Sequence, residues 1–514
     1  MWLGIAALTL FLRAPGLLVE VLDPDEAWHA VHAFVWMDGG TPYVDFIDNK
    51  QPLVYAFYRA VFTLFGRSLV AVHAVTLPWL LLTAWLMARI ARKVWPAVKR
   101  PEMAAWLFTL ASSAYVEKDM LATNTEVLMN LPLVAAFWVL FAWHRQTVSS
   151  RAAVAGLLGG VAVLFNLKAA VALPALIAAI WWCSHSRPWA HAAILVASFG
   201  VPLGLAAAWF AASGALEPFL FWNVLLNVRY AAAGVPLGQA GLRRGIVYGY
   251  PRMLLFIAGT LPLWVGAVAA FRASRRNGRT RGDMAILAVW AIGSLAAACI
   301  GGRFYGHYFI QLLPPLVLMA CGPLAGLLDT SKRGDARDRR SAWRIAAGAG
   351  LLFPVAAWTV AGYVRIAGGQ LDALRPPVAE VAREVAQRTR PGDRIFVWGY
   401  WPQLYYYARR MPATRFVYAQ TLSGYVPGQP ASLDPESDTS AYLVAGHWQT
   451  FADDMARHPA ELIVDTAPGA IHFWEKYPVA RYPVLRDLIA RRYSRETVVA
   501  GVAIYRLSRD GTPR

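Results

Sequence analysis

Long apolar runs separated by short polar connections dominate the first two thirds of the chain. A run of about 20 apolar residues is long enough to cross a bilayer as a helix. The pattern predicts about eleven such segments, at residues 2–22, 68–88, 103–116, 127–143, 152–167, 169–183, 191–212, 252–271, 284–300, 308–328 and 345–363. Residues 1–363 are therefore predicted to form a polytopic α-helical membrane domain.

The pattern changes from about residue 364, where charged residues become frequent. Residues 377–390 carry apolar positions at helical spacing, and 483–493 form a second helical stretch. Short apolar runs at 394–399, 461–465 and 498–507 are typical of buried strands. Alternating helices and strands predict a small α/β domain over residues 364–514, outside the membrane.

Composition and charge agree with this division. Apolar residues make up 57% of the 514 residues and charged residues only 16%, against about 25% charged in ordinary globular proteins. The net charge of +18 comes largely from Lys and Arg in alternate connections, at 89–100, 145–151, 187, 272–281 and 332–344. The positive-inside rule makes these connections cytoplasmic. The charge thus reports topology, and nucleic-acid binding is excluded.

This topology places the N-terminus in the cytoplasm and, after an odd number of spans, the C-terminal domain on the outer face of the membrane. The first segment has no basic leading region and no small-residue cleavage site, and Arg13 and Pro15 interrupt it. It is therefore interpreted as a retained span and not as a signal peptide.

The first outer loop, residues 23–67, concentrates polar chemistry at the membrane surface. It contains the sequences Asp23-Pro24-Asp25-Glu26, Gly40-Thr41-Pro42-Tyr43-Val44-Asp45 and Asp48-Asn49-Lys50-Gln51-Pro52-Leu53. A solvated loop with a helix-capping aspartate would have a similar composition. The order of the motifs decides between the two interpretations.

A span, an Asp-Glu loop and the pattern G-x-P-Y-x-D … K-x-P-L resemble the GT-C glycosyltransferases. The similarity is greatest to the bacterial form of the dolichyl-phosphate-mannose–protein mannosyltransferase and aminoarabinose-transferase branch. It extends to Thr125-Glu126, to Leu164–Lys168 and to Gly302–Phe309. The resemblance implies an inverting enzyme of the bacterial inner membrane. Such an enzyme moves a sugar from a polyprenyl-phosphate donor to a glycan, lipid or protein acceptor on the outer face.

The resemblance also assigns roles to residues. Asp25 is the expected general base that deprotonates the acceptor hydroxyl, with Glu26 as the second choice or as a metal or acceptor contact. Fixed cations would stabilise the leaving phosphate. The expected substrate and phosphate contacts are Lys50, Asp45, Glu126, Lys168, Arg303, His307 and Tyr308.

Each assignment has an alternative. Lys168 and Arg303 could extend to the interface only to reach water, and His307 and Tyr308 could be interfacial anchors. Asn49-Lys50-Gln51-Pro52 replaces the Glu-Lys-Pro-Pro usual in aminoarabinose transferases. The acid before the lysine is missing, which disfavours lipid A as the acceptor.

No cofactor is required by the sequence. A divalent cation is compatible with the outer carboxylates, and Glu26, Glu117 and Asp119 are its candidate ligands. Asp25, Glu26, His29 and His32 lie at near-helical spacing and could also be read as a zinc cluster. No familiar ligand motif supports that interpretation over a helix that merely carries two histidines.

Two other functions compete with glycosyl transfer. A transporter or lipid flippase would be expected to show internal repeats and polar residues near the middle of the membrane, whereas the polar residues here cluster in the outer loops. An envelope scaffold would use the C-terminal domain to recruit a partner. The aromatic sequences 398–401 and 405–407 suit acceptor binding and core packing equally well.

Overall fold

A computed structural model describes residues 1–113, 120–143, 146–228, 249–275, 278–300, 302–328, 339–368, 377–426, 432, 434 and 437–508. The predicted metal ligands Glu117 and Asp119 lie outside these residues, as do parts of the basic connections at 145, 276–277 and 332–338. Statements below refer to the described residues.

Helices dominate the described residues up to 368. In chain order they are α1 (Trp2–Leu18), α2 (Pro24–Met37), α3 (Pro52–Phe65), α4 (Leu69–Val94), α5 (Met103–Ala111), α6 (Thr125–Ala142), α7 (Val148–Phe165), α8 (Leu173–Cys183), α9 (Pro188–Ala212), α10 (Leu216–Leu220), α11 (Tyr250–Gly259), α12 (Leu261–Ser274), α13 (Gly278–Cys299), α14 (Leu313–Leu328) and α15 (Arg339–Ala367). Short 3₁₀ helices at Leu167–Ala172 and Gly306–Leu312 precede α8 and α14.

Seven of these described helical segments are long and apolar enough to cross a membrane. Helices α11 and α12 form an eighth candidate, bent by 74° at their junction. Each of the eleven predicted segments overlaps a described helix, with 252–271 divided between α11 and α12, and α1, α5 and α8 are shorter than a full span. The helical membrane fold is thus confirmed, and the number of crossings stays a prediction.

Small residues allow α7 and α9 to pack closely. A Cβ atom on Gly156 would lie 2.3 Å from the backbone oxygen of Leu195, and one on Gly160 would lie 2.3 Å from that of Phe199. Only glycine fits at such distances. This Gly-x-x-x-Gly spacing is a common way for membrane helices to approach each other.

The C-terminal part forms a five-stranded mixed sheet with helices around it. The strands are β1 (Arg394–Trp398), β2 (Met411–Pro412), β3 (Leu462–Asp465), β4 (Tyr493–Val499) and β5 (Val502–Leu507), in the order β2-β1-β3-β5-β4. Strand β1 is parallel to β2 and β3, while β5 is antiparallel to β3 and β4. The surrounding helices are α16 (Val378–Arg388), α17 (Pro402–Ala408), α18 (Gln420–Ser423), α19 (His447–Arg457) and α20 (Pro483–Arg492).

The predicted strands at 394–399 and 461–465 and the helices at 377–390 and 483–493 are confirmed. The single strand predicted at 498–507 is wrong, because Ala500 and Gly501 have φ angles of 49° and 82° and turn the chain between β4 and β5. The left-handed conformation interrupts an extended strand, so this segment is a hairpin.

The sheet domain packs directly on α2 and its surroundings. Trp28 of α2 lies with its ring centroid 3.7 Å from that of Tyr418, and Val31 shares the same buried cluster. Tyr406 donates a hydrogen bond to the Glu20 carboxylate and accepts one of 2.9 Å from the Leu69 amide. Helix α2 is therefore enclosed between the membrane helices and the sheet domain.

Candidate active site

Helix α2 begins at the predicted acidic motif because the sequence supplies a complete helix start. The Asp23 side chain accepts a 2.8 Å hydrogen bond from the Asp25 amide, and Pro24 occupies the first helical position. Both features favour a helix N-terminus. Asp25 and Glu26 then lie in the first turn, where the helix dipole favours negative charge.

Glu26 points into the protein and is completely buried. Its Oε1 accepts hydrogen bonds from the Thr123 amide (2.6 Å) and from His73 Nε2 (2.8 Å), and its Oε2 accepts one from the Leu22 amide (3.0 Å). Burial alone would raise the pKa of Glu26, but His73 and the backbone donors lower it overall. Both oxygens are thus engaged, and they connect α2 to Leu22 in the preceding turn, to Thr123 and to His73 of α4.

Asp25 points the other way and pairs with Lys50. The Lys50 Nζ atom lies 3.0 Å from Asp25 Oδ2, and the two side chains are 22% and 18% exposed. Burial would raise the pKa of Asp25, whereas Lys50, His29 and His307 lower it to about 2. Asp25 is therefore ionised and remains partly accessible, unlike its neighbour Glu26.

The turn before α3 presents Lys50 to Asp25. The Tyr43 hydroxyl donates a 2.7 Å hydrogen bond to the Lys50 carbonyl oxygen. Tyr43 has a φ angle of 66°, a left-handed conformation that is costly for a non-glycine residue and that clusters at functional sites. Pro52 then starts α3. The K-x-P spacing thus places the lysine at the end of a constrained loop.

A second carboxylate–lysine pair lies beside the first. Lys168 Nζ is 3.1 Å from Glu126 Oε1 and 2.9 Å from the centre of the Tyr308 ring. Asn166 fixes this corner, because its side chain accepts a hydrogen bond from the Lys168 amide (3.0 Å) and donates one to Thr125 Oγ1 (2.8 Å). The Thr-Glu and Asn-Leu-Lys motifs therefore meet in space.

The segment 302–309 closes the cluster. Gly302 and Phe304 have positive φ angles of 60° and 51°, and both Arg303 and His307 are buried. His307 interacts electrostatically with Asp25 and Glu126, and Arg303 with Lys168. Six of the predicted substrate contacts therefore lie in one cluster: Lys50, Glu126, Lys168, Arg303, His307 and Tyr308.

Asp45 is the predicted contact that the structure places elsewhere. Its Oδ2 accepts a 2.7 Å hydrogen bond from the Thr41 amide and so closes its own turn. The residue also lines a cavity of about 250 Å³ between the first outer loop and the sheet domain, together with Arg394 and Arg415. Asp25 and Lys50 do not line this cavity.

Sequence reasoning assigned no role beside Lys50 to Asp48 or Tyr55, and it considered His32 only as a zinc ligand. Asp48 is buried, and the Tyr55 hydroxyl donates a hydrogen bond to it. Burial raises the pKa of Asp48 to about 7, although Lys50 and Tyr55 lower it. His32 lies 3.8 Å from the Asp48 carboxylate and accepts a 2.8 Å hydrogen bond from Trp28 Nε1. For His32, the sequence did contain a signal, because His29 and His32 follow Asp25 by four and seven residues and therefore share its helical face.

The sheet domain places two tyrosines close to Asp25. The Asp25 carboxylate interacts with the phenols of Tyr400 and Tyr418, whose rings lie 4.3 Å apart. Burial and these neighbours hold the pKa of Tyr400 well above its ordinary value. Trp398, Trp401 and Tyr405 of the same aromatic sequences are instead buried within the sheet domain. Of the two alternatives for these sequences, core packing thus applies to three of their six aromatic residues.

The described residues contain no group of three or more His, Cys, Asp or Glu side chains arranged to hold a metal ion. Glu26 already uses both oxygens in hydrogen bonds. Because Asp25 pairs with Lys50, and His32 accepts from Trp28, the four residues of the zinc interpretation do not form one ligand set in the part of the chain described.

Comparison with known proteins gives matches at the level of structure. No protein-family profile matches the sequence, and no curated protein matches it significantly. The crystal structure of ArnT from Cupriavidus metallidurans bound to undecaprenyl phosphate matches with a TM-score of 0.60 and 16% identity, over 100% of this chain and 98% of that chain. Apo ArnT matches with a TM-score of 0.59.

The archaeal oligosaccharyltransferase AglB from Archaeoglobus fulgidus, in complex with an inhibitory peptide and a dolichol-phosphate, also matches. Its TM-score is 0.53 at 14% identity, over 100% of this chain and 74% of that chain. The chain therefore has the same fold as ArnT and AglB, which confirms the predicted fold class.

Proposed function

We propose that the protein is a membrane glycosyltransferase that moves a sugar from a polyprenyl phosphate to an acceptor on the outer face of the bacterial inner membrane. The observation that carries this proposal is the pairing of Asp25 with Lys50, next to Glu126 and Lys168, in a partly accessible cluster. Structures with the same fold hold undecaprenyl phosphate and dolichol-phosphate.

The arrangement suits a single displacement with inversion. The acceptor hydroxyl oxygen attacks the anomeric carbon and forms the new glycosidic bond, while Asp25 takes the hydroxyl proton. The bond between the anomeric carbon and the phosphate oxygen breaks, and its electrons leave with the polyprenyl phosphate. Lys50, Lys168, Arg303 and His307 stabilise the charge that develops on the departing phosphate.

Ion pairing in the free protein has a consequence for the base. An aspartate with a pKa of about 2 is a weak proton acceptor, because a general base works best with a pKa near the working pH. A donor phosphate that binds Lys50 takes over part of the lysine charge. The pKa of Asp25 then rises, since the attraction of Lys50 is the largest influence that lowers it. Donor binding thus activates the base.

The membrane arrangement follows the positive-inside rule. In this proposal the N-terminus is cytoplasmic, residues 1–363 form the membrane domain, and the sheet domain within 364–514 is outside. Asp25, Lys50 and the tyrosines of the sheet domain then share the outer face, where a lipid-linked sugar would meet its acceptor. A divalent cation is compatible with this chemistry, and no step above depends on one.

The test is release of the bare lipid phosphate. The purified protein in lipid nanodiscs is incubated with undecaprenyl-phosphate esters of mannose, glucose, N-acetylglucosamine and 4-amino-4-deoxyarabinose, with a membrane lipid extract as the acceptor source. Undecaprenyl phosphate is then quantified by mass spectrometry. The proposal predicts release from at least one ester and fails if every ester is left intact.

The role of Asp25 is tested in the same assay with Asp25→Asn. General-base catalysis contributes about 10²–10⁴-fold to rates, so release should fall by at least about 100-fold. Asp38→Asn is the matched control, because Asp38 ends the same helix in an exposed pair with Arg67. Undiminished transfer by Asp25→Asn would remove the assignment of the base.

A further inference from the structure

We propose that His29 binds a hydroxyl of the transferred sugar through its ring nitrogens and so contributes to the choice of sugar. This inference rests on the proposed function, since it assigns a sugar contact in the same site. The resemblance and the sequence gave His29 no such role.

The first observation is that the polar atoms of His29 are buried without partners. The side chain is 1% exposed, and in the part of the chain described neither ring nitrogen has a hydrogen-bond partner. Buried polar groups in native proteins are hydrogen-bonded in the large majority of cases, so an exception calls for an explanation such as a catalytic role or a bound water or ion. His32, one turn later, instead accepts a hydrogen bond from Trp28.

The second observation is the position of the ring. Residues four apart on a helix lie on the same face, so His29 lies one turn beyond Asp25 on the side that carries the proposed base. It interacts electrostatically with Asp25 and Lys50 of the first pair and with Glu126 of the second. The imidazole is thus close enough to both carboxylate–lysine pairs to interact with the proposed base and with a group proposed to hold the phosphate.

The surroundings hold the ring and leave its nitrogens unused. Tyr55 and Tyr58 approach it edge-on, with ring centroids 6.0 and 5.4 Å away. Their hydroxyl groups are engaged elsewhere, with Asp48 and with the Thr123 carbonyl oxygen. Two aromatic contacts therefore orient the imidazole without satisfying it.

The charge state of His29 suits a neutral ligand. Burial and the nearby Lys50 keep the pKa of His29 at about 4, although Asp25 and Glu126 raise it. The ring is therefore neutral at physiological pH and offers one N–H donor and one acceptor. A sugar hydroxyl is likewise both donor and acceptor. The lysines suit the phosphate, and the uncharged imidazole suits the sugar ring attached to it.

A binding experiment tests this independently of transfer. Dissociation constants for bare undecaprenyl phosphate and for each of the four sugar esters are measured by competition against a fluorescent undecaprenyl-phosphate analogue. The measurements use the wild-type protein, His29→Phe, which keeps an aromatic ring without nitrogens, and His29→Asn, which keeps a donor and an acceptor.

One hydrogen bond contributes modestly to net affinity, so the expected effect is about three- to tenfold. His29→Phe should weaken binding of the preferred ester by that factor and leave the affinity for bare undecaprenyl phosphate within about twofold. His29→Asn should retain part of the preference, and it also serves if the Phe variant does not fold. Equal ester-to-bare-lipid ratios in the wild type and both variants would overturn the inference.

The outcome for the proposed function is read separately. Release of undecaprenyl phosphate by the wild-type protein tests glycosyl transfer, whereas the affinity ratio tests His29. A protein that transfers sugar with an unchanged ratio in His29→Phe contradicts only the inference. A protein that binds the esters selectively through His29 but releases no lipid phosphate contradicts only the proposed function.

Discussion

The adjacent carboxylates of Asp25 and Glu26 should respond in opposite ways to loss of charge. We expect Glu26→Gln to destabilise the protein and Asp25→Asn to leave its stability nearly unchanged. Glu26 is fully buried and accepts three hydrogen bonds, one of them from His73. Asp25 is partly exposed and makes one ion pair.

The magnitudes follow from this difference. The ring nitrogens of His73 contact two oxygens, one from Glu26 and one from the Gly16 carbonyl group, so Glu26 and His73 form a buried hydrogen-bonded pair. Removing one partner of a buried pair costs about 3–5 kcal/mol. The glutamine amide also turns a donor toward a backbone N–H. The Asp25–Lys50 pair is still partly exposed to solvent, so we expect Asp25→Asn to cost about 1 kcal/mol, the upper end of the range for solvent-screened pairs.

The unfolding temperatures of both variants are measured in detergent micelles by tryptophan fluorescence, and their activities are measured in the release assay. At about 2–4 °C per kcal/mol for large domains, Glu26→Gln should unfold about 10 °C below the wild type. Asp25→Asn should unfold within about 4 °C of it while losing activity. A stable but inactive Glu26→Gln variant would refute the reasoning, because it would show that Glu26 takes part in the chemistry and not in fixing α2.

Three further changes test other parts of the structure. Because the folded protein raises the pKa of Asp48 to about 7, stability should fall as pH rises from about 4 through 7. Asp48→Asn should remove that part of the pH dependence, measured as the difference in unfolding temperature between pH 5 and pH 7.5. An equal difference in the wild type and the variant would contradict this. Tyr406→Phe loses hydrogen bonds across the contact between the domains, so it should lower the free energy of unfolding by about 1–3 kcal/mol in thermal unfolding. The control Tyr405→Phe loses only a hydrogen bond inside the sheet domain, so limited proteolysis should find its domain contact intact. Gly156→Ala should destabilise the protein by about 1–3 kcal/mol, because a Cβ atom there would lie 2.3 Å from a backbone oxygen. The control Gly200→Ala has open space around it and should be neutral or slightly stabilising. Similar unfolding temperatures for the two variants would refute the close packing of α7 and α9.

The sequence predicted what depends on local order along the chain. The helix start at Asp23-Pro24 and the K-x-P turn are local patterns, so the sequence alone could single out Asp25 and Lys50, which the structure pairs. The apolar runs located the helices because burial in lipid demands nearly continuous apolar sequence. The sheet domain was recognisable from the same alternation of elements.

What depends on distant partners could not be predicted. Glu26 looks like Asp25 in the sequence, and its burial follows from His73 and Thr123, which lie 47 and 97 residues away. The placement of Asp45 follows from the turn that it closes with Thr41. The proximity of Tyr418 to Asp25 arises from tertiary packing, for which a single sequence carries no periodic signal.

The enclosure of α2 by the sheet domain has a consequence for how the protein is made. The Tyr418 hydroxyl contacts the Pro24 carbonyl oxygen across 394 residues of sequence. At about 5–20 residues per second, a ribosome needs roughly 20–80 seconds to synthesise the intervening chain. In the proposed orientation, the face of α2 that carries Trp28 therefore stays exposed outside the membrane until the segment that contains Tyr418 has been translocated. A nascent chain that already carries Asp25 and Lys50 has no completed site, and a protein truncated before Tyr418 would resemble that unfinished intermediate.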